Sequence, residues 1–508
     1  MRSKLFLKSS VVTLFSKFLC HLVDFICRTV LIHTLPQEYV GVNGLLSSIL
    51  GVLSLSELGF GTVLVYSMYV PFAQKDEEKL LALTDFYKKA YRIIATLVGV
   101  LGILLTPFLP YIVNDCPDIP GLSVFYLLYM ANMICSYTFT YRQSLFHVDQ
   151  RPYIINFYYH MLRIIRTILQ IVILITTRNF FLYLLIMIPF TLFTNLLLSW
   201  KAKKEYPFLN SDRHPALADD EKKTIFKNVY AMFNHRVSST ILNATDNLLI
   251  SFFLGLTAVA CNDSYNMILN FGRSLLSALF APLNASVGNY HALNTEEKTH
   301  SLFETLHFAT IWLYTFCTAS FFLLVNPVIA YVWGEEFLFS FPVVLLISVN
   351  FYIAGIRQIP VIFKEAMGFL YQDRYIPVVE ALANLALSVL LVKPLGIVGI
   401  FAGTFISIVF TSFWVEPYIL MHYGFHRSTK VFWLKNIRYL LISALAIALT
   451  WLCSLPFELP LLALIGVRIV LCLAIPNMIF LLFFFKIPEF RMLVNLLKQT
   501  LKKSGATA

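Results

Sequence analysis

Runs of about 20 mainly apolar residues, the length a helix needs to cross a bilayer, recur along this chain from one end to the other. They fall near 9–33, 40–70, 88–113, 121–146, 154–177, 180–200, 225–254, 257–288, 301–333, 338–367, 376–393, 396–421, 437–455 and 460–485, about fourteen in all. The 508 residues are 58% hydrophobic and 13% charged, whereas soluble domains run nearer 45–50% and about 25%. The sequence therefore predicts an all-α polytopic membrane protein. The runs at 40–70 and 257–288 are long enough to tilt, kink or continue outside the bilayer. The first run exceeds the apolar core of a signal peptide and carries no small-residue cleavage signature, so it is expected to be retained.

Fourteen spans put both termini on one side. Lys and Arg concentrate in alternate loops, around 75–89, 142–151, 201–223 and 427–435, and in both tails. The opposite loops hold almost none, Arg178 and Lys393 excepted. The positive-inside rule then predicts N-in, C-in. The net charge of +11 follows these loops rather than one soluble domain, which argues against nucleic acid as a partner. Outward loops are short and the largest inward loop is 201–224, so function is expected among the helices. Eight cysteines are scattered without CxxC or CxxH spacing, which predicts neither a metal site nor a disulfide framework, and no cofactor.

Two sets of six spans are related by a shift of about 222 residues. Asp24 corresponds to Asp246. The inward turn VDQRPYI, with Arg151, corresponds to YQDRYIP, with Arg374. The EEK at Glu77–Lys79 corresponds to the EEK at Glu296–Lys298. An even number of helices per repeat gives both halves the same orientation, with a cavity expected where they meet. The predicted organisation is an N-terminal six-helix lobe over 1–204, a cytoplasmic linker over 205–224 and a C-terminal six-helix lobe over 225–423. Two additional helices over 437–486 and a basic tail over 487–508 follow.

The spans are not uniformly apolar. Lys17, His21, Asp24 and Arg28 recur at spacings of four, three and four, which at about 100° per residue places them within roughly 60° of one helix face. Further basic residues at membrane depth are Arg163, Arg166, Arg236, Arg273, Arg357 and Arg468, with Lys364 near the inner end of the tenth span. Inserting eight such charges at about 2.5 kcal/mol each would cost roughly 20 kcal/mol unless they are hydrated or paired. Acids at similar depth are fewer: Asp24, Glu57, Asp246, Glu380 and Glu416. Asn266, Asn270, Arg273, Ser277 and Asn284 share a face if the eighth span runs straight, with Pro282 a potential kink. His160, Arg163, Arg166 and Gln170 share one side of the fifth, and Asn350 aligns with Arg357 in the tenth. Two readings stand beside each other for every arginine. It pairs structurally, as Asp24 and Arg28 could at i,i+4, or it lines a hydrated, net-positive cavity suited to phosphate oxygens. Glu57, in SELGFG, and Arg468, outside the repeat, fit the structural reading best.

The segment EYVGVNGLLSSILGVLSLSELGFGTVLVYSMYVPFAQKD (38–76) resembles the second-span signature of Wzx-type oligosaccharide flippases. These form the polysaccharide transporter branch of the multidrug/oligosaccharidyl-lipid/polysaccharide (MOP) exporter superfamily. NATDNLLISFFLG (243–255), SVGN (286–289), EAMGFLYQDRYIPVVEALANLALS (365–388) and GIVGIFAGTFIS (396–407) are similar as well, so the likeness runs over the first twelve spans. The resemblance implies two six-helix lobes around a central cavity and alternating access. It also implies transfer of undecaprenyl-pyrophosphate-linked oligosaccharide units to the outer leaflet for O-antigen, capsule or exopolysaccharide synthesis, with polymerase and assembly proteins as possible partners. It makes Arg28, Arg236 and Arg273 the leading pyrophosphate contacts, with Lys17, Arg163, Arg166, Arg357, Asn266 and Asn270 beside them. Asp24, Asp246, His21 and Glu380 are candidates for coupling to H⁺ or Na⁺. A MATE-like multidrug exporter and a peptidoglycan-precursor flippase are the alternatives. The short outward loops argue against an enzyme such as a membrane polymerase or ligase.

Overall fold

The computed structural model describes residues 2–57, 59–112, 119–211, 215–369, 371–457 and 459–505, with side chains described except at 2–15, 56, 231–244, 285, 497 and 499–505. All regular elements among the described residues are helical. The chain divides into two compact units, Met1–Asp263 and Ser264–Ala508.

The first unit opens with α1 (Arg2–Thr34) and α2 (Gln37–Leu53). A 3₁₀ turn over Ser54–Glu57 and the left-handed Gly59 (φ 75°) separate α2 from α3 (Phe60–Gln74). The long predicted span at 40–70 is thus two helices, broken where glycine alone adopts the required backbone cheaply. α4 (Glu77–Leu105) begins eleven residues before the predicted span at 88. The Asp76 carboxylate accepts the Lys79 N–H at 2.9 Å, and Glu77 and Glu78 occupy the first turn, where the helix dipole favours acids. The EEK motif is therefore a helix start and not a loop. Its counterpart does the same job at the first turn of the helix Glu296–Val332. α5 (Leu109–Ile112) is one short turn. α6 (Leu122–Tyr137) and α7 (Thr140–Val148) meet at 49° across Thr138 and the left-handed Phe139 (φ 62°). α8 (Pro152–Thr177), α9 (Phe180–Leu185), α10 (Met187–Glu205) and α11 (Asp219–Leu254) follow, and α12 (Leu256–Phe280) begins in this unit.

The core of the first unit is rich in aromatics and includes Phe60, Leu64, Met68, Tyr87, Tyr91, Tyr141 and Phe146. At its Lys/Arg-rich end Arg151 pairs with Glu205 at 2.6 Å and Lys79 with Glu221 at 2.5 Å. The Tyr206 hydroxyl donates to Asp149 at 2.9 Å. Burial first, and then that carboxylate, push its phenol above its ordinary range. The compact units divide at 263/264. α11 packs on α2 and α3, which draws it and the first turns of α12 into the first unit.

The second unit continues along α12 and then contains α13 (Leu283–Leu293), α14 (Glu296–Val332), α15 (Phe341–Ile356) and α16 (Gln358–Ala366). α17 (Ile376–Leu395), α18 (Ile397–Phe410), α19 (Ser412–Ile419), α20 (Thr429–Ser454), α21 (Leu461–Phe484) and α22 (Pro488–Gly505) complete it. Pro282 ends α12 rather than bending it, so Asn284 belongs to α13 and leaves the face predicted for a straight span. α17 and α18 approach closely enough that a Cβ on Gly399 would fall near the Leu391 carbonyl and one on Gly403 2.7 Å from Ser388. α20 and α21, the additional helices, pack on α14. There His307 meets Asn436 at 2.7 Å, and Trp312 donates to Asn477 at 2.9 Å.

Nine helical stretches among the described residues are long and apolar enough to cross a membrane, and the bent α6–α7 pair makes ten. The other predicted spans are the first, second, seventh and eighth. The eighth fails through its polar residues and the second through its break, and the first has described side chains only over 16–34. In the seventh, the side chains at 231–244 are not described, and the apolar segment that remains is Thr245–Leu254.

Candidate functional site

In the first unit the polar face of α1 meets the polar face of α8 turn by turn. Cys20 Sγ lies 3.4 Å from His160 Nδ1, and one turn on Arg163 Nη2 donates to Asp24 Oδ2 at 2.7 Å. Both faces exist because each helix repeats polar residues every three or four positions. The i,i+4 pairing of Asp24 with Arg28 does not form, since Asp24 turns to Arg163. Arg163 is thus paired rather than lining an open cavity, although the pair stays partly exposed (34% and 22%). Arg166, a turn beyond, has no carboxylate partner among the described residues, and its Nε is buried without a hydrogen bond. Lys17 is exposed on α1, and His21 is half-buried.

Arg28 faces another way. It is 8% exposed, donates from Nη2 to the Ala260 carbonyl at 3.2 Å, and has Asp263 Oδ2 3.9 Å from Nη1. Asp263 accepts from Asn247 Nδ2 at 2.9 Å. The same amide donates to Ser48 Oγ at 3.0 Å, and its oxygen accepts from Asn262 at 2.7 Å. The Tyr129 hydroxyl bonds Asn43. One polar network therefore joins α1, α2, α11 and α12, with an α6–α2 bond beside it. Gly44 makes room for it: a Cβ there would collide with Asp263 Oδ2. Sequence reasoning named Arg28 but missed Asp263, Asn262, Asn247, Asn43 and Tyr129. The signal for Asp263 was present: the 3,4 spacing of Asn266, Asn270, Arg273 and Ser277 extends one turn back to position 263. Asp246 is half-buried on α11. Arg236 lies outside the described residues.

In the second unit Arg357, expected to line a cavity beside Asn350, grips Glu416 with two hydrogen bonds (Nε to Oε2 2.9 Å, Nη2 to Oε1 2.8 Å). Glu380 sits 3.5 Å from the same guanidinium and also accepts from the Ser412 hydroxyl. Two carboxylates on α17 and α19 thus neutralise this arginine, and burial makes that pairing obligatory. Asn350 instead donates to the Phe401 carbonyl at 3.0 Å. Lys364 and Asp373 form a buried pair. Arg468 donates to the Leu323 carbonyl at 2.8 Å, and Glu57 accepts from Tyr91 at 2.5 Å, both in structural roles.

Arg273 is exposed on α12, with Asn270 Oδ1 3.4 Å from its Nη1 and Asn266 half-buried a turn earlier. Arg273 and Ser277 stand at the edge of a cavity of about 170 Å³ in this unit. Its other walls come from Phe280, Tyr314, Phe351, Ala354, Gly355 and Gln358. No group of three or more His, Cys, Asp or Glu placed to hold a metal occurs among the described residues.

No protein-family model and no curated protein matches the chain. Solved structures do. The lipid II flippase MurJ in an inward closed conformation superposes with a TM-score of 0.68 at 11% identity, over 93% of this chain and 99% of that one. An inward-facing multidrug resistance MATE family transporter of the MOP superfamily gives 0.59 at 14% identity, over 76% and 91%. The Vibrio cholerae MATE transporter VcmN gives 0.53 at 15% identity, over 80% and 94%. The chain has the polytopic helical fold of the MOP-superfamily transporters.

Proposed function

We propose that the protein is a flippase that carries undecaprenyl-pyrophosphate-linked oligosaccharide units across the bacterial cytoplasmic membrane by alternating access, for O-antigen, capsule or exopolysaccharide assembly. The observation that carries this reading is a surplus of base at membrane depth. α1 and α8 present Lys17, Arg28, Arg163 and Arg166, of which Asp24 neutralises one and Asp263 approaches another. Arg273 adds a cation at the mouth of a cavity in the second unit. Cations that lipid does not tolerate, on a transporter fold, suit an anionic headgroup, and guanidinium forks match phosphate oxygens. In this reading the termini face the cytoplasm, the prenyl tail stays in lipid, and the basic side chains replace water around the pyrophosphate. Resetting the site is assigned to H⁺ or Na⁺ acting at Asp24, Asp246, His21 or Glu380. The membrane potential adds about 2.3 kcal/mol per charge per 100 mV.

A second reading, transport of the peptidoglycan precursor, draws on the MurJ likeness, which covers 93% of this chain and 99% of that one. A multidrug exporter for cationic compounds would need an acidic interior, which the basic surplus disfavours. Deleting the gene separates the readings. Under the leading one, lipid-linked repeat units build up on the inner leaflet while peptidoglycan synthesis continues. Normal surface-polysaccharide delivery contradicts it, and a block in peptidoglycan synthesis favours the second.

A further inference from the structure

We propose that the cavity floored by Phe280, Tyr314 and Phe351 beside Arg273 seats the single sugar ring nearest the pyrophosphate of the transported lipid, an inference that rests on the flippase reading above. The three rings line the cavity in succession, Tyr314 and Phe351 tilted by 50° to each other. Phe280 and Tyr314 lie 6.2 Å apart at 23°, and Tyr314 and Phe351 lie 5.3 Å apart. All three are buried. Aromatic faces carry negative charge density and attract the positively polarised C–H face of a pyranose. The rim is polar: Arg273, Ser277 and Gln358 are exposed and offer donors and acceptors to ring hydroxyls. Arg273 adds a fork for a neighbouring phosphate oxygen.

Size and rigidity narrow the occupant. Drug-sized ligands need about 300–1,000 Å³, and a cavity of about 170 Å³ takes one ring, not an oligosaccharide. Tyr314 lies eighteen residues from each end of α14, at the middle of a membrane-length helix. The Tyr314 ring lies directly against Gly355, where any Cβ would overlap it. Only glycine lets the ring settle there, which fixes the floor on α14 and α15. A prenyl chain or an apolar drug would use the aromatic rings but would make no hydrogen bond to Arg273, Ser277 or Gln358.

The test titrates purified, detergent-solubilised protein with geranyl pyrophosphate. It then titrates geranyl pyrophosphate linked to glucose, galactose, N-acetylglucosamine or N-acetylgalactosamine. At least one sugar-bearing probe should bind about tenfold more tightly than the bare pyrophosphate, the scale of one aromatic contact. Ser277→Trp, which plugs the mouth from an exposed position, should bring that ratio to about one. Gln358→Ala, also exposed, should lower the ratio and change the order of preference among the sugars. Equal binding of all five probes to the wild type, or an unchanged ratio in both variants, overturns the proposal while leaving the flippase reading standing. No binding of any probe overturns both.

Discussion

At the scale of single residues, the membrane-depth charges divide by partner rather than by depth. Arg357 sits between Glu416 and Glu380, and removing one member of such a buried set costs about 3–5 kcal/mol. Arg357→Ala should therefore lower the thermal unfolding midpoint in detergent sharply. Arg357→Met combined with Glu416→Met should recover much of that loss. A variant that unfolds like the wild type but no longer transports would return Arg357 to the substrate site. Arg163→Ala breaks a partly exposed pair and should cost less than about 1 kcal/mol in the same measurement. Gly44→Ala forces a methyl onto Asp263 Oδ2, so it should destabilise the first unit. The same substitution in an Asp263→Ala background should be nearly silent, because the colliding oxygen is gone. Equal costs in both backgrounds would mean the clash is not with Asp263. The residue types and depths of these charges were legible in the sequence, but the pairings were not. Asp24 with Arg163 spans 139 positions and Arg357 with Glu416 spans 59, and nothing in local spacing selects those partners over an i,i+4 neighbour.

At the scale of elements, hydropathy gave the helices and missed their ends. Apolar periodicity located the membrane-length stretches, since lipid forces every backbone amide in them to bond within the helix. It placed the start of α4 too late, because the first turns carry Glu77, Glu78 and Lys79 and project from the apolar stretch. It ran α2 and α3 together, since the flanking apolar runs outweigh the short S-L-S-E-L-G stretch, where a 3₁₀ turn and the left-handed Gly59 break the helix. Gly59→Ala should consequently cost about 1–2 kcal/mol, read as a lower unfolding midpoint. No loss would show that the break tolerates a side chain. α12 tests the polar-face reading. Asn270→Leu with Ser277→Leu makes the helix more apolar, which should leave stability at or above the wild-type level while transport falls. Undiminished transport would assign that face to lipid.

At the scale of the whole molecule, the fold combines two units of inserted helices with charges that a purely structural membrane protein has no reason to carry. The two EEK motifs each lie in the first turn of a long helix, α4 and α14. α11 belongs to the first compact unit through its packing on α2 and α3, contacts between distant segments that sequence spacing does not encode. The additional helices are integral to the second unit, where α20 and α21 cover Phe308, Trp312 and His307 on α14. The central claim is movement of an anionic lipid, and reconstitution tests it most directly. Proteoliposomes containing the purified protein are loaded with undecaprenyl-pyrophosphate-linked oligosaccharide, and its accessibility to an external glycosidase is followed over time. Protein-free vesicles should expose about half of the lipid and stop there. Vesicles with the wild-type protein should expose nearly all of it, and vesicles carrying Arg166→Ala together with Arg273→Ala should behave like protein-free ones. Accessibility that stays at half with active, folded wild-type protein would contradict the account.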